Sequence, residues 1–235
     1  MKRAFQDPVL FENQALTSAN SINVARWLPQ MLYYISAIRQ LPPEANPPVF
    51  SVPSGNFGNL CAGLLASQMG MPGAHCIAAT NPNDTIPRYM ESRNYDPKPA
   101  VPTLSNAMDV ADPSNFVRIR ELFKNDFPKL AAKLSAYSYT DAQTLKAIET
   151  LFQSYAYIAD PHGAVGYLGL VEYLEDHPGH TGIFLETAHP IKFRETVETC
   201  LDRELELPLQ IRGLLDREKV FSDIGTYEEL REALR

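Results

Sequence analysis

A strand–turn–helix unit at residues 47–69 (PPVFSVPSGNFGNLCAGLLASQM) constrains the fold of this chain more than any other stretch. Val49, Phe50 and Val52 form a short β-prone run with prolines at its edges. Glycines and asparagines follow at residues 54–59 (SGNFGN), and residues 60–69 then carry apolar side chains at helical spacing. A strand that leads directly into a helix is typical of a parallel α/β sheet.

The turn at residues 54–59 also has the features of an anion site. Gly55 and Gly58 allow a sharp turn and a close approach to a ligand. A helix that begins there directs unpaired N–H groups and its positive dipole end at one point, and phosphate is the usual anion at such a place. The turn matches neither a P-loop nor a dinucleotide fingerprint. From the residues alone, a turn whose glycines serve only geometry stays open as the alternative.

Composition excludes several classes of protein. The 235 residues, 45% of them hydrophobic, suffice for one sizeable domain. A net charge of −7 without a basic run disfavours nucleic-acid binding. No stretch approaches the ~20 apolar residues of a membrane span. The three cysteines are widely spaced, which indicates reduced thiols in a cytoplasmic protein without a metal site.

The rest of the chain alternates between helices and strands. A helical stripe at residues 24–38 contains Pro29, which should kink or interrupt the helix. We predict two further strands, and Asn81 and Asn83, after the first of them, should lie on the same side as the glycine turn or simply cap a helix. The predicted strands span residues 74–80 and 181–185, the predicted helices residues 114–123, 141–152, 163–174, 190–201 and 226–234, and a long loop residues 92–113. This pattern predicts an α/β fold with an open, mainly parallel sheet flanked by helices, as one domain over residues 1–235 with a helical tail from about residue 205.

Six motifs, in order, resemble those of the threonine synthases, which are pyridoxal-phosphate (PLP) enzymes of fold type II. The resemblance covers nearly the whole chain and implies the large PLP-binding domain of that fold. The motifs lie at residues 18–23 (SANSIN), 54–59 (SGNFGN), 78–87 (AATNPNDTIP), 103–110 (TLSNAMDV), 160–166 (DPHGAVG) and 186–193 (ETAHPIKF).

The resemblance implies roles for individual residues. Thr187 matches the hydroxyl partner of the pyridine nitrogen, although by itself it reads as a helix cap before Pro190. His162 and His189 also lie in the motifs, and we assign neither an acid–base role. The main chain of the turn would hold the PLP phosphate through Gly55, Asn56, Phe57, Gly58 and Asn59. The phosphate of the substrate, O-phospho-L-homoserine, would lie near Asn20, Ser21 and Asn23, whose alternative role is helix capping.

One part of the family's machinery is missing from the sequence. The lysine that forms a Schiff base with PLP precedes the phosphate loop in this family, and the only lysine before Gly55 is Lys2. Lys192 is close to Thr187 but reads as a solvated charge at a helix start. We therefore expect a C-terminal portion of a threonine synthase that lacks its lysine-bearing N-terminal lobe.

Several expectations follow from this assignment. The intact enzyme would convert O-phospho-L-homoserine and water to L-threonine and phosphate, whereas this chain alone would be inactive. The missing lobe would be its partner, and without it an apolar face would be exposed and favour self-association. The alternative is a catalytically inactive homologue that binds PLP or another phosphate ligand, or an interaction module.

Overall fold

The computed structural model describes residues 3–13, 17, 21, 23–73, 75–215, 218 and 220–234. These form two compact units, one of residues 21–205 and one of residues 1–20 with 206–235. The first unit contains four strands, β1 (Pro48–Pro53), β2 (His75–Thr80), β3 (Leu134–Ser138) and β4 (Thr181–Phe184). The helices, in chain order, are α1 (Pro8–Asn13), α2 (Val24–Trp27), α3 (Met31–Arg39), α4 (Gly58–Gln68), α5 (Thr85–Ser92), α6 (Phe116–Leu122), α7 (Phe127–Ala131), α8 (Asp141–Tyr155), α9 (Pro161–Asp176), α10 (Arg194–Leu201), α11 (Leu209–Leu215) and α12 (Tyr227–Ala233).

The four strands form one parallel sheet in the order β3-β2-β1-β4. Ser51 of β1 pairs with Ile77 of β2 on one side and with Phe184 of β4 on the other. Every residue of β1 is buried, as expected for the centre of a sheet covered on both faces. The predicted fold class, an open parallel α/β sheet flanked by helices, is therefore confirmed.

Alternate residues of β1 lie on opposite faces of the sheet and pack against different helices. Phe50 and Val52 belong to a core cluster with residues of α3 and α4, among them Tyr34 and Leu60. On the opposite face, Val49 packs with Leu170 and Tyr173 of α9. The hydroxyl of Ser51 donates a 2.6 Å hydrogen bond to the carbonyl of Gly166, so α9 lies directly on the sheet.

Pro29 interrupts the first helical stripe, as the sequence predicts. Leu28–Gln30 is a 3-10 segment between α2 and α3, because proline removes the N–H that a continuous helix would use. Helix α3 exposes Leu32, Tyr33 and Ile35 on its surface. In the part of the chain that the structure describes, no helix is long and apolar enough to cross a bilayer.

The sequence analysis missed one strand, β3. Leu134 alone of its five residues is buried, and the strand pairs with β2 at the edge of the sheet. The second unit contains α1, α11 and α12, and Tyr227 there donates a 2.8 Å hydrogen bond to the Asp7 carboxylate. The assignment of all 235 residues to one domain with a helical tail stays a prediction.

Candidate functional site

A cavity of about 450 Å³ lies where β1 and β4 end in the unit of residues 21–205. The carboxyl ends of neighbouring parallel strands are the usual ligand site of such sheets. The turn after β1 forms one wall, and Glu186 and Thr187, after β4, form part of another. The lining includes Ser21, Gln30, Tyr33, residues 53–60, Ala107, Met108, His162 and residues 185–187.

We call the main chain of residues 55–59 the amide turn. Hydrogen bonds tie its flanks, since the N–H of Ser54 donates to Ala79 and that of Cys61 to Phe57. Within the described residues, no acceptor pairs with the N–H groups of the five residues between, Gly55, Asn56, Phe57, Gly58 and Asn59. These donors lie at the first turn of α4 and line the cavity. Unpaired N–H groups at a helix start are an arrangement that suits an anion.

Phe57 precedes α4 in the left-handed conformation, with φ of 61°. A bulky residue rarely adopts this conformation, and such strain persists only where the surroundings hold it. The Phe57 ring is 4% exposed and packs edge-on against Phe116 at 6.0 Å. Burial of this ring therefore fixes the conformation in which the amide turn presents its N–H groups.

The side chain of Asn56 holds the amide turn in place. Its Oδ1 accepts hydrogen bonds from the N–H and the hydroxyl of Ser114, at 2.7 and 2.9 Å. Its Nδ2 donates to the Ser21 hydroxyl at 2.7 Å, and Asn115 donates to its carbonyl at 2.9 Å. The side chain is thus committed to the protein, which leaves only the main-chain N–H of Asn56 for a ligand.

Gly55 is required by the packing of one chain segment on another. A Cβ at this position would lie 2.7 Å from the Cα of Met108 and 3.0 Å from the carbonyl of Ala107. The sequence analysis assigned this glycine to a sharp turn and a close ligand. The structure adds a different reason, because the segment around Met108 closes one side of the cavity.

We call Asp160, His162 and Glu186 the carboxyl–histidine cluster. The Oδ1 of Asp160 caps α9 by accepting from the N–H of His162 at 2.7 Å, and it also lies 2.8 Å from His162 Nδ1. The N–H of Asp160 donates to Glu186 Oε1 at 3.1 Å. The Asp160 and His162 side chains are 0% and 5% exposed. Two of the three residues, His162 and Glu186, line the cavity.

The pKa values of the two carboxyl groups of this cluster are shifted in opposite directions. Burial, and then the nearby Asp160 carboxylate, raise the pKa of Glu186 well above its usual range. Burial opposes ionisation of Asp160, but hydrogen bonds from His162 and Glu186 outweigh it and lower the pKa of that carboxyl. Of the two carboxyl groups, Asp160 is therefore the one whose surroundings favour the charged form.

The predicted site residues fall into three groups. The amide turn, Ser21 and Thr187 all border the cavity, and Thr187 is exposed there. Asn23 caps α2 by accepting from the N–H of Ala25 at 3.0 Å, and the described lining does not include it. Asn20 lies outside the described residues. The ligand roles of these residues stay predictions.

Asn81, which the sequence placed near the glycine turn, belongs to a polar scaffold. Its Nδ2 donates to Thr103 and to Asp109, each at 2.8 Å, and its Oδ1 accepts from Asn83. The sequence analysis gave no role to Asp160 or Glu186. Both lie within motifs that were noted, DPHGAVG and ETAHPIKF, but only the fold brings them together.

The residues present suit the phosphate of PLP. Five N–H donors that have no acceptor in the described part of the chain suit a phosphate dianion, and the cavity volume is in the range of ligand sites. The described lining contains no lysine. PLP could therefore be held through its phosphate, without a covalent link from the lining.

This chain is similar to several known proteins, among them three threonine synthases. The threonine synthase of Haemophilus influenzae is 50% identical over 212 residues, 88% of this chain and 48% of that protein. The crystal structure of threonine synthase from Escherichia coli superposes with a TM-score of 0.91 at 42% identity, over 99% of this chain and 54% of that one. That of PLP-bound threonine synthase from Brucella melitensis gives 0.89 at 30% identity, over 99% and 55%.

The open parallel sheet flanked by helices defines the class of this protein, because this fold matches that of the fold type II PLP enzymes. A family model described as "Threonine synthase, C-terminal" matches residues 163–234. The chain is a homologue of the threonine synthases, and it spans about half the length of the relatives it matches.

Proposed function

We propose that this chain is the phosphate-binding half of a threonine synthase. In this proposal the amide turn holds the phosphate of PLP, Thr187 partners the pyridine nitrogen, and the rest of the enzyme supplies the Schiff-base lysine. The observation that carries the proposal is the set of five N–H groups at and just before the start of α4, beside the cavity, which have no acceptor among the described residues.

When bound, PLP serves as an electron sink for carbanions formed beside it. The chain's own contribution is binding and orientation. The N–H groups of residues 55–59 balance the phosphate charge without a cation, and the Thr187 hydroxyl offers a neutral partner at the opposite wall. Ser21 borders the same cavity and could also contact the phosphate of O-phospho-L-homoserine.

The other half of the enzyme is proposed as the partner of this chain. The matched relatives are about twice as long as the chain, and α3 exposes Leu32, Tyr33 and Ile35 beside the cavity residue Gln30. With that half, the chain would convert O-phospho-L-homoserine and water to L-threonine and phosphate. Alone, it would be inactive, and its exposed apolar side chains would favour self-association.

A second candidate is a homologue that binds PLP or another phosphate ligand without catalysis. The absence of a lysine from the described lining favours it. The two candidates differ in what they predict for the mixed halves. The first predicts phosphate release from O-phospho-L-homoserine when this chain is mixed with the N-terminal half of the Haemophilus influenzae relative, and the second predicts none.

Binding to the amide turn is tested with the Asn59→Asp variant. The introduced aspartate keeps the acceptor that Tyr34 uses at 2.8 Å, and an acid suits a helix start, so the fold is retained. Its charge repels phosphate, and we expect PLP affinity, followed by ³¹P NMR, to fall about tenfold or more. Gln68→Glu, at the far end of α4, is the control of equal charge. Equal affinity of both variants would reject the proposed site.

A further inference from the structure

The carboxyl–histidine cluster contains buried polar atoms whose hydrogen bonding is incomplete. In the described part of the chain, Nε2 of His162, Oδ2 of Asp160 and Oε2 of Glu186 are buried without a hydrogen bond. Buried polar groups are nearly always paired, so each of the three requires an explanation.

A single proton accounts for the two carboxyl oxygens. Glu186 Oε1 accepts from the N–H of Asp160, and burial favours the protonated form of the Glu186 carboxyl. A proton on Glu186 Oε2, directed at Asp160 Oδ2, would satisfy both oxygens at once.

The remaining atom is Nε2 of His162. The carboxylate of Asp160, 2.8 Å from Nδ1, favours a proton on Nδ1, which leaves a lone pair on Nε2 in the neutral ring. The ring of Phe193 packs at 4.8 Å, and the His162 side chain is only 5% exposed, yet the residue lines the cavity. Bulk water is thus excluded from Nε2, whereas an occupant of the cavity lies next to its ring.

We infer that His162 is the proton acceptor of this cavity, with Asp160 and Glu186 as its positioning residues. A donor atom of the occupant gives its proton to Nε2, and the electron pair of the broken bond stays on that donor atom. The single negative charge shared by Asp160 and Glu186 then balances the imidazolium. The inference rests on the proposed function only in naming PLP as the occupant.

The tautomer of His162 tests the first step without any ligand. Side-chain ¹⁵N NMR of the labelled chain resolves the two ring nitrogens, and we expect the Nδ1–H form to dominate. Asp160→Ala removes the acceptor and should reduce that form about threefold, whereas Asp160→Asn keeps an acceptor and should restore it. Unchanged tautomers in Asp160→Ala would overturn the inference, and the other four histidines report whether each variant is folded.

Addition of PLP tests the second step. The ³¹P signal shows whether PLP is bound, and in the wild type we expect the Nε2 resonance of His162 to move towards that of a protonated nitrogen. The Glu186→Gln variant keeps a donor to Asp160 and should retain this response. If the ³¹P signal shows that PLP is fully bound and the Nε2 resonance of His162 does not move, the inference is overturned, whereas the proposed function is not. Failure of PLP to bind would overturn the proposed function, and the ligand-free tautomer would still decide the inference.

Discussion

The two walls of the cavity differ in the kind of chemical group that they present to a ligand. The amide turn uses main-chain N–H groups, which do not titrate and whose direction is fixed by the backbone. The carboxyl–histidine cluster uses groups whose charge depends on where protons reside. The comparison teaches that anion binding and proton transfer can be built separately around one cavity, so each wall can be altered while the other is left intact.

The largest expected effect comes from a variant that disturbs the packing which supports the amide turn. Tyr34 is fully buried, and its hydroxyl lies 2.9 Å from the carbonyl of Asn59. A Cβ at Gly63 would lie 2.5 Å from the Tyr34 ring. Gly63→Ala should therefore lower the free energy of unfolding by about 3 kcal/mol, although alanine favours helices.

Urea unfolding checks this prediction. Gly213→Ala is the matched control, because in the described residues no atom beyond its chain neighbours and the backbone of α11 lies within 4 Å of the added Cβ. That variant should gain about 0.5–1 kcal/mol. Similar stability of the two variants would show that Tyr34 does not pack against α4 as described.

The second prediction concerns a titrating group outside both walls. Burial, reinforced by the neighbouring His177, Lys133 and His180, lowers the pKa of His75 to about 4 from 6.5. The ring stacks on Tyr173 and bonds to Ser135. Because the folded state favours the neutral ring, its stabilising effect is complete above pH 6.5 and is lost as the pH falls towards 4.

The expected loss is about 2 kcal/mol, below the full value of the shift because the ring is only partly buried. Urea unfolding at pH 7 and pH 4.5 measures it, with His75→Gln as the comparison. The variant should lose less stability than the wild type over that interval. Equal losses in the two proteins would assign the acid sensitivity to groups other than His75.

The amide turn could be predicted from the sequence far better than the carboxyl–histidine cluster. The turn is local, since a strand, two glycines and a helix start within 22 residues of one another, and their pattern carries the geometry. The carboxyl–histidine cluster joins residues 26 positions apart through the pairing of β4 with β1. Likewise, the clamp between Asn56 and Ser114 spans 58 positions, and no local pattern reveals it.

Strand β3 was missed for a related reason. Its residues LSAYS are few and mostly half-buried, so they lack the apolar run by which β1 and β2 were found. The strand exists because β2 offers an open edge, with Ala78 of β2 paired to Ala136. Its formation thus depends on a partner that lies about 57 positions earlier in the chain, which single-segment patterns do not contain.

The third prediction concerns the protonation state of Glu186 in the carboxyl–histidine cluster. The raised pKa of Glu186 means that its stabilising contribution is complete at low pH and is lost as the pH rises towards that pKa. The glutamine of the Glu186→Gln variant mimics the protonated acid and does not titrate. The variant should match the wild type at pH 5 and exceed it by about 1–2 kcal/mol at pH 9, in urea unfolding. A constant difference at both pH values would show that Glu186 is ionised throughout.

The smallest expected effect concerns a hydrogen bond that holds the amide turn in place. Ser21→Ala removes the acceptor that Asn56 Nδ2 uses at 2.7 Å, and the Oδ1 bonds to Ser114 remain. We expect a loss of about 1 kcal/mol in unfolding free energy and a severalfold loss of PLP affinity at every pH from 6 to 8, because main-chain donors do not titrate. Ser36→Ala, on the exposed face of α3, controls for the loss of a hydroxyl. A loss of PLP affinity in Ser21→Ala that varies with pH, while the affinity of Ser36→Ala relative to the wild type does not, would mean that the two walls are coupled.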